Sequence, residues 1–415
     1  MKASSASRGD LVTGHRRALS RRGFLEAAGR VGAGAAIGGL LAACGIAGSS
    51  DGDEGADRSA EELPPLAEEL VIAHWPLYID KVRGKSPTLQ MFERSTGIDV
   101  TYKEVINDNQ EFFATISEPL SQGQATGWDI VTLSDWVVAK MWRAGWLEEL
   151  DHSLLPNVKK NLGDLFRDPP YDPGNAHSVP WQGGITGIAY NPKLTGRKLT
   201  AFADLWDTSL AGHVGMLTEM VDTMNLTLLS LGVDPQQATV DDAARAQRRL
   251  LELRDKGIVR DYYGNDYVDG LARGDLWATM AWSGDVFQLR LNDPDLEFVV
   301  PEEGGILWST PLEIPQGAKH PRDAHVFMDF VYRPDIAAQI TEWVGYISPV
   351  AGARAVVEEH AAAAQGADAR YLDTLAKSPL VFPTPEMEAK LHSYKVLSED
   401  EEASWNDLFQ EAMQG

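Results

Sequence analysis

The sequence predicts an α/β protein of two similar-sized halves, each a mainly parallel sheet flanked by helices. Three observations carry this. Short apolar runs alternate with amphipathic stretches, strand–helix–strand units recur at the spacing of parallel crossovers, and a second set of such units follows the first. About 345 residues lie beyond Glu69, enough to build two cores without crosslinks.

In the first half, Leu70-Val71-Ile72-Ala73-His74 reads as a buried strand and Pro87 to Glu93 begins a helix. Ile98 to Tyr102 is a second strand and Asp129 to Leu133 a third, followed by a helix from Ser134 to Arg143 with Gly145 as its stop. In the second half, His213 to Leu217, Trp277 to Trp282 and Leu296 to Val300 read as strands, and Val240 to Lys256 as an amphipathic helix. Helices recur at 324–331, 334–344 and 385–392. No short internal repeat is present in the sequence. In open α/β sheets ligands bind beyond the carboxyl ends of the strands, so the cleft between two such lobes is the expected site.

The chain opens differently. Ser20-Arg21-Arg22-Gly23-Phe24-Leu25 precedes a Gly/Ala-rich apolar stretch that ends in Leu41-Ala42-Ala43-Cys44, which holds the only cysteine of the chain. This order resembles a twin-arginine export signal closed by a bacterial lipobox, with residues 1–44 removed and Cys44 carrying lipid. The stretch from Val31 to Ala43 is too short and too glycine-rich to span a membrane, which takes about 20 apolar residues. Gly45 to Glu69 is rich in Gly, Ser, Asp and Glu and reads as a flexible tether.

Charge narrows the function. The whole chain carries a net charge of −24; without the seven basic and two acidic residues of 1–44, 30 basic and 59 acidic residues remain, a net −29. Such a chain does not bind nucleic acid through phosphates, which takes clustered Lys and Arg. It attracts small cations instead, weakly at physiological salt.

Enzyme signatures are missing from the sequence. The nine histidines are scattered without a His-Glu-x-x-His pattern, no cysteine pair exists, and neither a Gly-x-Ser-x-Gly elbow nor a phosphate loop is present. No metal or cofactor is therefore expected, and His74, His177 and His213 near strand ends are expected to be solvated or hydrogen-bonded. Aromatic residues are more telling, because several stand at the ends of successive strands. They are Trp75 and Tyr78, Trp136, Trp181, Trp282, Trp308, and Tyr346 in Gly345-Tyr346-Ile347-Ser348-Pro349. Converging on one cleft, their faces suit cations and methylene chains, at about 0.5–2 kcal/mol for each stacked cation.

With these landmarks the chain resembles the spermidine/putrescine-binding proteins of bacterial ABC importers. The residues that carry the resemblance are Trp75-Pro76-Leu77-Tyr78, Trp128-Asp129-Ile130-Val131 with Ser134-Asp135-Trp136, Ala203-Asp204-Leu205-Trp206, Trp282-Ser283-Gly284-Asp285, Pro301 to Trp308, and Arg333-Pro334-Asp335 leading to Gly345-Tyr346. It covers the chain from about Leu70 to the C-terminus. It implies a two-lobe, periplasmic-binding-protein-like fold of type II that closes on a linear polyamine, with aromatic walls and acids at the terminal amines. It places Trp75, Tyr78, Ser134, Trp136, Trp282, Asp285, Trp308 and Tyr346 on ligand contacts, with Asp135 beside them. Glu219 and Asp222 are displaced from the family's further acidic loop and stand as candidates. The family commonly has an aspartate where this chain has Thr310, and Lys395 stands where the family offers an amide.

The expected boundaries follow: 70–189 plus 309–348 for one lobe and 190–308 plus 349–415 for the other, with hinges near Ala189-Tyr190-Asn191 and Trp308-Ser309-Thr310. The expected function is that of an exported, lipid-anchored, monomeric solute-binding protein. It captures a polyamine in the interlobe cleft and hands it to a permease driven by a cytoplasmic ATPase. A binder of another amine or zwitterion, an exported enzyme on the same scaffold and a sensory receptor are the alternatives.

Overall fold

The computed structural model describes residues 65–414. The expected signal with Cys44, and the tether as far as residue 64, lie outside the described residues. The last tether residues are already held: the Asp323 carboxylate accepts the Ala67 and Glu68 amides at 3.0 Å each. Strand β1 (Glu69–His74) begins directly after them.

β1 pairs in parallel with β2 (Asp99–Glu104) through helix α1 (Pro87–Thr96); helices of seven residues or more are labelled. Local chemistry sets the limits of α1. Ser86 caps it by accepting the Leu89 amide, Pro87 takes a first-turn position, and Gly97 at φ 78° ends it. Its Phe92 is fully buried against Phe327 and Phe330.

The third strand expected at 129–133 is not a regular strand. Ile130 bridges Ile72 in parallel, while the next residue, Val131, bridges Glu313 in antiparallel fashion. The segment crosses from one sheet edge to another within two residues, and Asp129 pins the crossing by accepting the amides of Val71, Lys319 and His320. Helix α3 (Asp135–Arg143) then follows as expected, and α2 (Asn109–Ser121) precedes the crossing.

The larger sheet runs in the order β5-β4-β6-β3-β8-β9, with β7 also on β3. Its members are β3 (Ser178–Tyr190), β4 (Val214–Leu217), β5 (Val259–Tyr263), β6 (Ala278–Trp282), β7 (Glu297–Val299), β8 (Gly305–Glu313) and β9 (Leu391–His392). The β4–β5, β4–β6 and β8–β9 pairs are parallel, and the pairs made by β3 are antiparallel. β3 is the spine. Its first part pairs with β8 from Ser178↔Glu313 to Thr186↔Ile306, and its last part pairs with β6 and β7.

Two glycines let that spine carry aromatic rings. A Cβ at Gly184 would come within 2.2 Å of the Trp308 ring, and one at Gly183 within 2.3 Å of Phe166. Around the sheet lie α4 (Met220–Ser230), α5 (Val240–Asp255), α6 (Tyr267–Arg273), α7 (Ser283–Arg290), α8 (Pro321–Val331), α9 (Pro334–Val344), α10 (Ala353–Ala363), α11 (Gly366–Lys377) and α12 (Glu399–Gln414).

The helix expected over 385–392 is also corrected. Thr384 caps a single turn, Pro385–Glu388, and the chain then becomes β9 alongside Gly305 and Ile306. Lys390 accepts the Gly305 amide, so sheet pairing overrides helical pattern there. Past β9 the segment 393–398 leads into α12, which packs on α5 and α4.

Candidate ligand cleft

The predicted acids stand at helix starts that follow strands or bridging segments. Asp135 is in the first turn of α3, Glu219 stands at the N-cap position of α4 without a side-chain capping bond, Asp222 is in its first turn, and Asp285 is in the first turn of α7. Helix N-termini favour carboxylates, and the carboxyl ends of strands aim them inward. They are treated differently by their neighbours.

Asp222 is fully provided with donors. Its Oδ1 accepts the Thr186 hydroxyl at 2.7 Å and the Tyr394 hydroxyl at 2.5 Å, and its Oδ2 accepts the Trp282 indole N–H at 2.9 Å. Asp285 accepts the Tyr267 hydroxyl on one oxygen and the Tyr346 hydroxyl on the other, both at 2.8 Å. Tyr267 also accepts the Trp282 amide at 3.0 Å, so one phenol fixes an acid and an aromatic wall together.

Asp135 and Glu219 are less well served. Asp135 is buried and accepts only backbone amides, Trp136 at 2.8 Å and Ser309 at 3.1 Å. Burial pushes its carboxyl up to about 8, with the Asp222 charge adding to the rise and the two amides opposing it. Burial first, then the charges of Asp222, Asp108 and Asp135, push Glu219 up to about 8 as well. Asp222 is raised by burial against the pull of its three donors.

The aromatic residues form two groups. The Tyr346 ring meets Tyr78 at 5.8 Å and Trp308 at 5.5 Å, and Trp282 lies against Tyr267 at 5.8 Å. A cavity of about 230 Å³ borders Trp308 of the first group. Of the predicted set Asp135, Trp136 and Trp308 line it, together with Tyr394, and Tyr78, Glu219, Asp222, Trp282, Asp285 and Tyr346 are not in its lining. Two predicted residues have partners of their own: the Trp75 indole donates to the Thr132 carbonyl, and the Ser134 hydroxyl accepts the Asn109 amide. Thr186, Tyr267 and Tyr394, the donors that orient the acids, were not singled out by sequence. Tyr267 and Thr186 have no local signal at all, because their partners are 18 and 36 residues away in the chain.

The two departures have concrete surroundings. Thr310 is buried, with its hydroxyl 3.4 Å from the Gln182 carbonyl. Lys395 gives its ammonium to Glu401 at 2.7 Å and to the Ala238 carbonyl at 2.6 Å. The histidines are hydrogen-bonded, as expected. His74 accepts the Trp75 amide and burial lowers it to about 3, His177 lies beside Asp172, and His213 beside the Asp275 carbonyl. Among the described residues no cluster of metal-ligating side chains occurs.

The mixed α/β fold and the acids gathered beside aromatic rings are those of a solute-binding protein. The model of the bacterial extracellular solute-binding proteins matches residues 88–368, so the chain belongs to that family. It is similar to the spermidine/putrescine-binding periplasmic protein 1 of Haemophilus influenzae, 30% identical over 296 residues, covering 71% of this chain and 79% of the relative. It is similar also to the putrescine-binding periplasmic protein PotF of Escherichia coli, 28% identical over 357 residues, 81% of this chain and 89% of PotF. The crystal structure of the spermidine/putrescine ABC transporter substrate-binding protein PotD from Streptococcus pneumoniae shares the fold. The TM-score is 0.69 at 24% identity, over 83% of this chain and 98% of PotD.

Proposed function

We propose that this protein is the exported solute-binding component of an ABC importer, that its ligand is a linear polyamine of the putrescine or spermidine type, and that a permease receives the closed, loaded form. The observation that carries the reading is the convergence of Asp135, Glu219, Asp222 and Asp285 beside aromatic rings, with Asp135 and Glu219 raised to about 8. Such surroundings keep acids protonated when no cation is present, and an ammonium group favours their ionised form. The names of the relatives support the same ligand class.

The lobes are taken as 70–189 plus 309–348 and 190–308 plus 349–415, with one adjustment: α10 packs on α9, and α11 packs on α10 with its Tyr371 hydroxyl on the Glu342 carbonyl, so both go with the first lobe. Within this reading β3 and β8 are the crossover segments, and Tyr346 from the first lobe meets Asp285 from the second. Closure is favoured because the ligand touches both lobes only when they are shut. The protein is a monomer held to the membrane by lipid on Cys44, and it turns over no substrate.

A thermal-shift and calorimetry panel of putrescine, spermidine, betaines and amino acids tests the ligand. Polyamines should raise the melting temperature and bind in the micromolar range or tighter. Stabilisation by a zwitterion but by no polyamine would overturn the reading. Recovery of chemically changed ligand would reinstate the enzyme, and an unlipidated Cys44 in membrane extracts would remove the anchor.

A further inference from the structure

We propose that the C-terminal strap 393–398, together with the first turn of α12 that carries Glu402, is a latch across the cleft, closed by the ion pair between Lys140 and Glu402. The inference deepens the reading of the cleft as the ligand site and rests on it.

The strap is rooted in the second lobe. Gln236 donates to the carbonyls of Ser393 and Tyr394 at 2.9 and 2.7 Å, the Tyr394 hydroxyl reaches Asp222, and Lys395 is held by Ala238 and Glu401. Its far side lies on the first lobe, along the last turns of α3. There Lys140 Nζ meets Glu402 Oε1 at 3.0 Å and Arg143 Nη1 donates to the Leu397 carbonyl at 2.5 Å. Val396 packs onto the apolar cluster of that lobe. The cavity of about 230 Å³ is lined by Asp135 and Trp136 of α3, by Trp308 of β8 and by Tyr394, Lys395 and Val396 of the strap.

The two attachments differ in kind, and that difference makes a latch. On the second lobe the strap has several hydrogen bonds and runs on into α12. On the first lobe it has two polar contacts and one apolar side chain. The Lys140–Glu402 pair is partly buried, with side chains 27% and 13% exposed, so it holds more firmly than a surface pair yet still yields to salt. The same helix carries Asp135 and Trp136 at its start and the latch near its end. A ligand that orders the start of α3 therefore also presents Lys140 and Arg143 to the strap, and a ligand leaving through this cavity must first lift the strap away from α3.

The test is the dissociation rate of spermidine, followed by tryptophan fluorescence in stopped-flow chase. At low salt Glu402→Gln and Lys140→Gln should each release spermidine about threefold to tenfold faster, the range that a partly buried ion pair supplies. The charge-swapped double variant, Lys140→Glu with Glu402→Lys, should restore the slow rate. Wild-type release should quicken with ionic strength more steeply than release from Glu402→Gln. Wild-type rates in both single variants, or a swap no slower than they are, would overturn the latch. Should spermidine fail to bind the unaltered protein, the polyamine reading falls, and the latch is judged on ligand-free protein by X-ray scattering. A larger radius of gyration in Glu402→Gln than in the wild type and the swap supports it; equal radii overturn it.

Discussion

The two ends of the acid cluster are built on opposite plans. At one end, Asp285 is gripped by the hydroxyls of Tyr267 and Tyr346, and Tyr267 also holds the Trp282 amide. At the other, desolvation and the Asp222 charge raise both Asp135 and Glu219, and the Asp135 charge adds to the rise at Glu219. The first end is a fixture whose geometry is set before any ligand arrives. The second holds its protons until a positive charge fills it. A binding protein gains from both, because preorganisation limits the entropy lost on binding, and acids that ionise only against a cation make closure depend on the ligand.

The largest effect expected from breaking this comparison is at the fixture. Asp285→Asn keeps the shape but loses the charge that two phenols orient, and polyamine affinity should fall about a hundredfold, as for truncation of a desolvated charged partner. Calorimetry measures it. Unchanged affinity would remove Asp285 from the site and leave the second end as the whole of the recognition.

Next in size is pH, which acts on the second end. Asp135 and Glu219 titrate near 8 in place of their ordinary values of 3.8 and 4.5. Between those limits the folded protein holds protons that the unfolded chain has lost, so ligand-free stability should decline as pH rises toward 8. Affinity should move the other way. Polyamine amines stay charged well above pH 8, as lysine does with its pKa of about 10.4, and they pair only with ionised carboxyls. Affinity should therefore climb between pH 6 and pH 8, with protons released on binding. Calorimetry in buffers of different ionisation enthalpy counts those protons, and Glu219→Gln should flatten both trends. Flat profiles in the wild type would show that the second end is already ionised.

A smaller effect is expected from Tyr267→Phe. It takes one donor from Asp285 and an acceptor from the Trp282 amide, and both groups are left under-satisfied at about 1–3 kcal/mol apiece. Affinity should fall by about tenfold and the denaturation midpoint should drop. A loss of stability without a loss of affinity would make Tyr267 part of the frame alone.

Much of this was legible in the sequence because it is written locally. β1 shows as an apolar run, α1 as Ser86-Pro87 followed by an amphipathic stretch and Gly97, and the acids as residues just past strand ends. What was missed depends on distant partners. β3 hides because Pro180, Gly183 and Gly184 look like breakers, yet the glycines are needed where Phe166 and Trp308 lie on the strand, and the ladder shifts register after Pro180. The expected strand at 129–133 and helix at 385–392 failed for a related reason: each meets the edge of another strand, and that pairing decided its form. Tyr267 and Tyr394 matter through partners 18 and 172 residues away, which no local pattern announces.

The smallest effect is expected at Lys395, and it bears most directly on what the second end receives. A free ammonium here would oppose a polyamine and welcome a ligand carrying a carboxylate. The ammonium instead meets the Glu401 carboxylate at 2.7 Å and the Ala238 carbonyl at 2.6 Å, so its charge is answered within the strap. Its pull on a ligand is that of a neutralised pair, small beside the pull of Asp135 and Glu219 once they ionise against a cation. Lys395→Gln should thus change putrescine affinity less than about threefold, within the range of a partly exposed ion pair. Should the variant instead gain tenfold for putrescine, the ammonium faces the ligand. Should it lose a zwitterion that the wild type binds, the second end would be a carboxylate site, and the contrast between the two ends would be one of opposite charge preference.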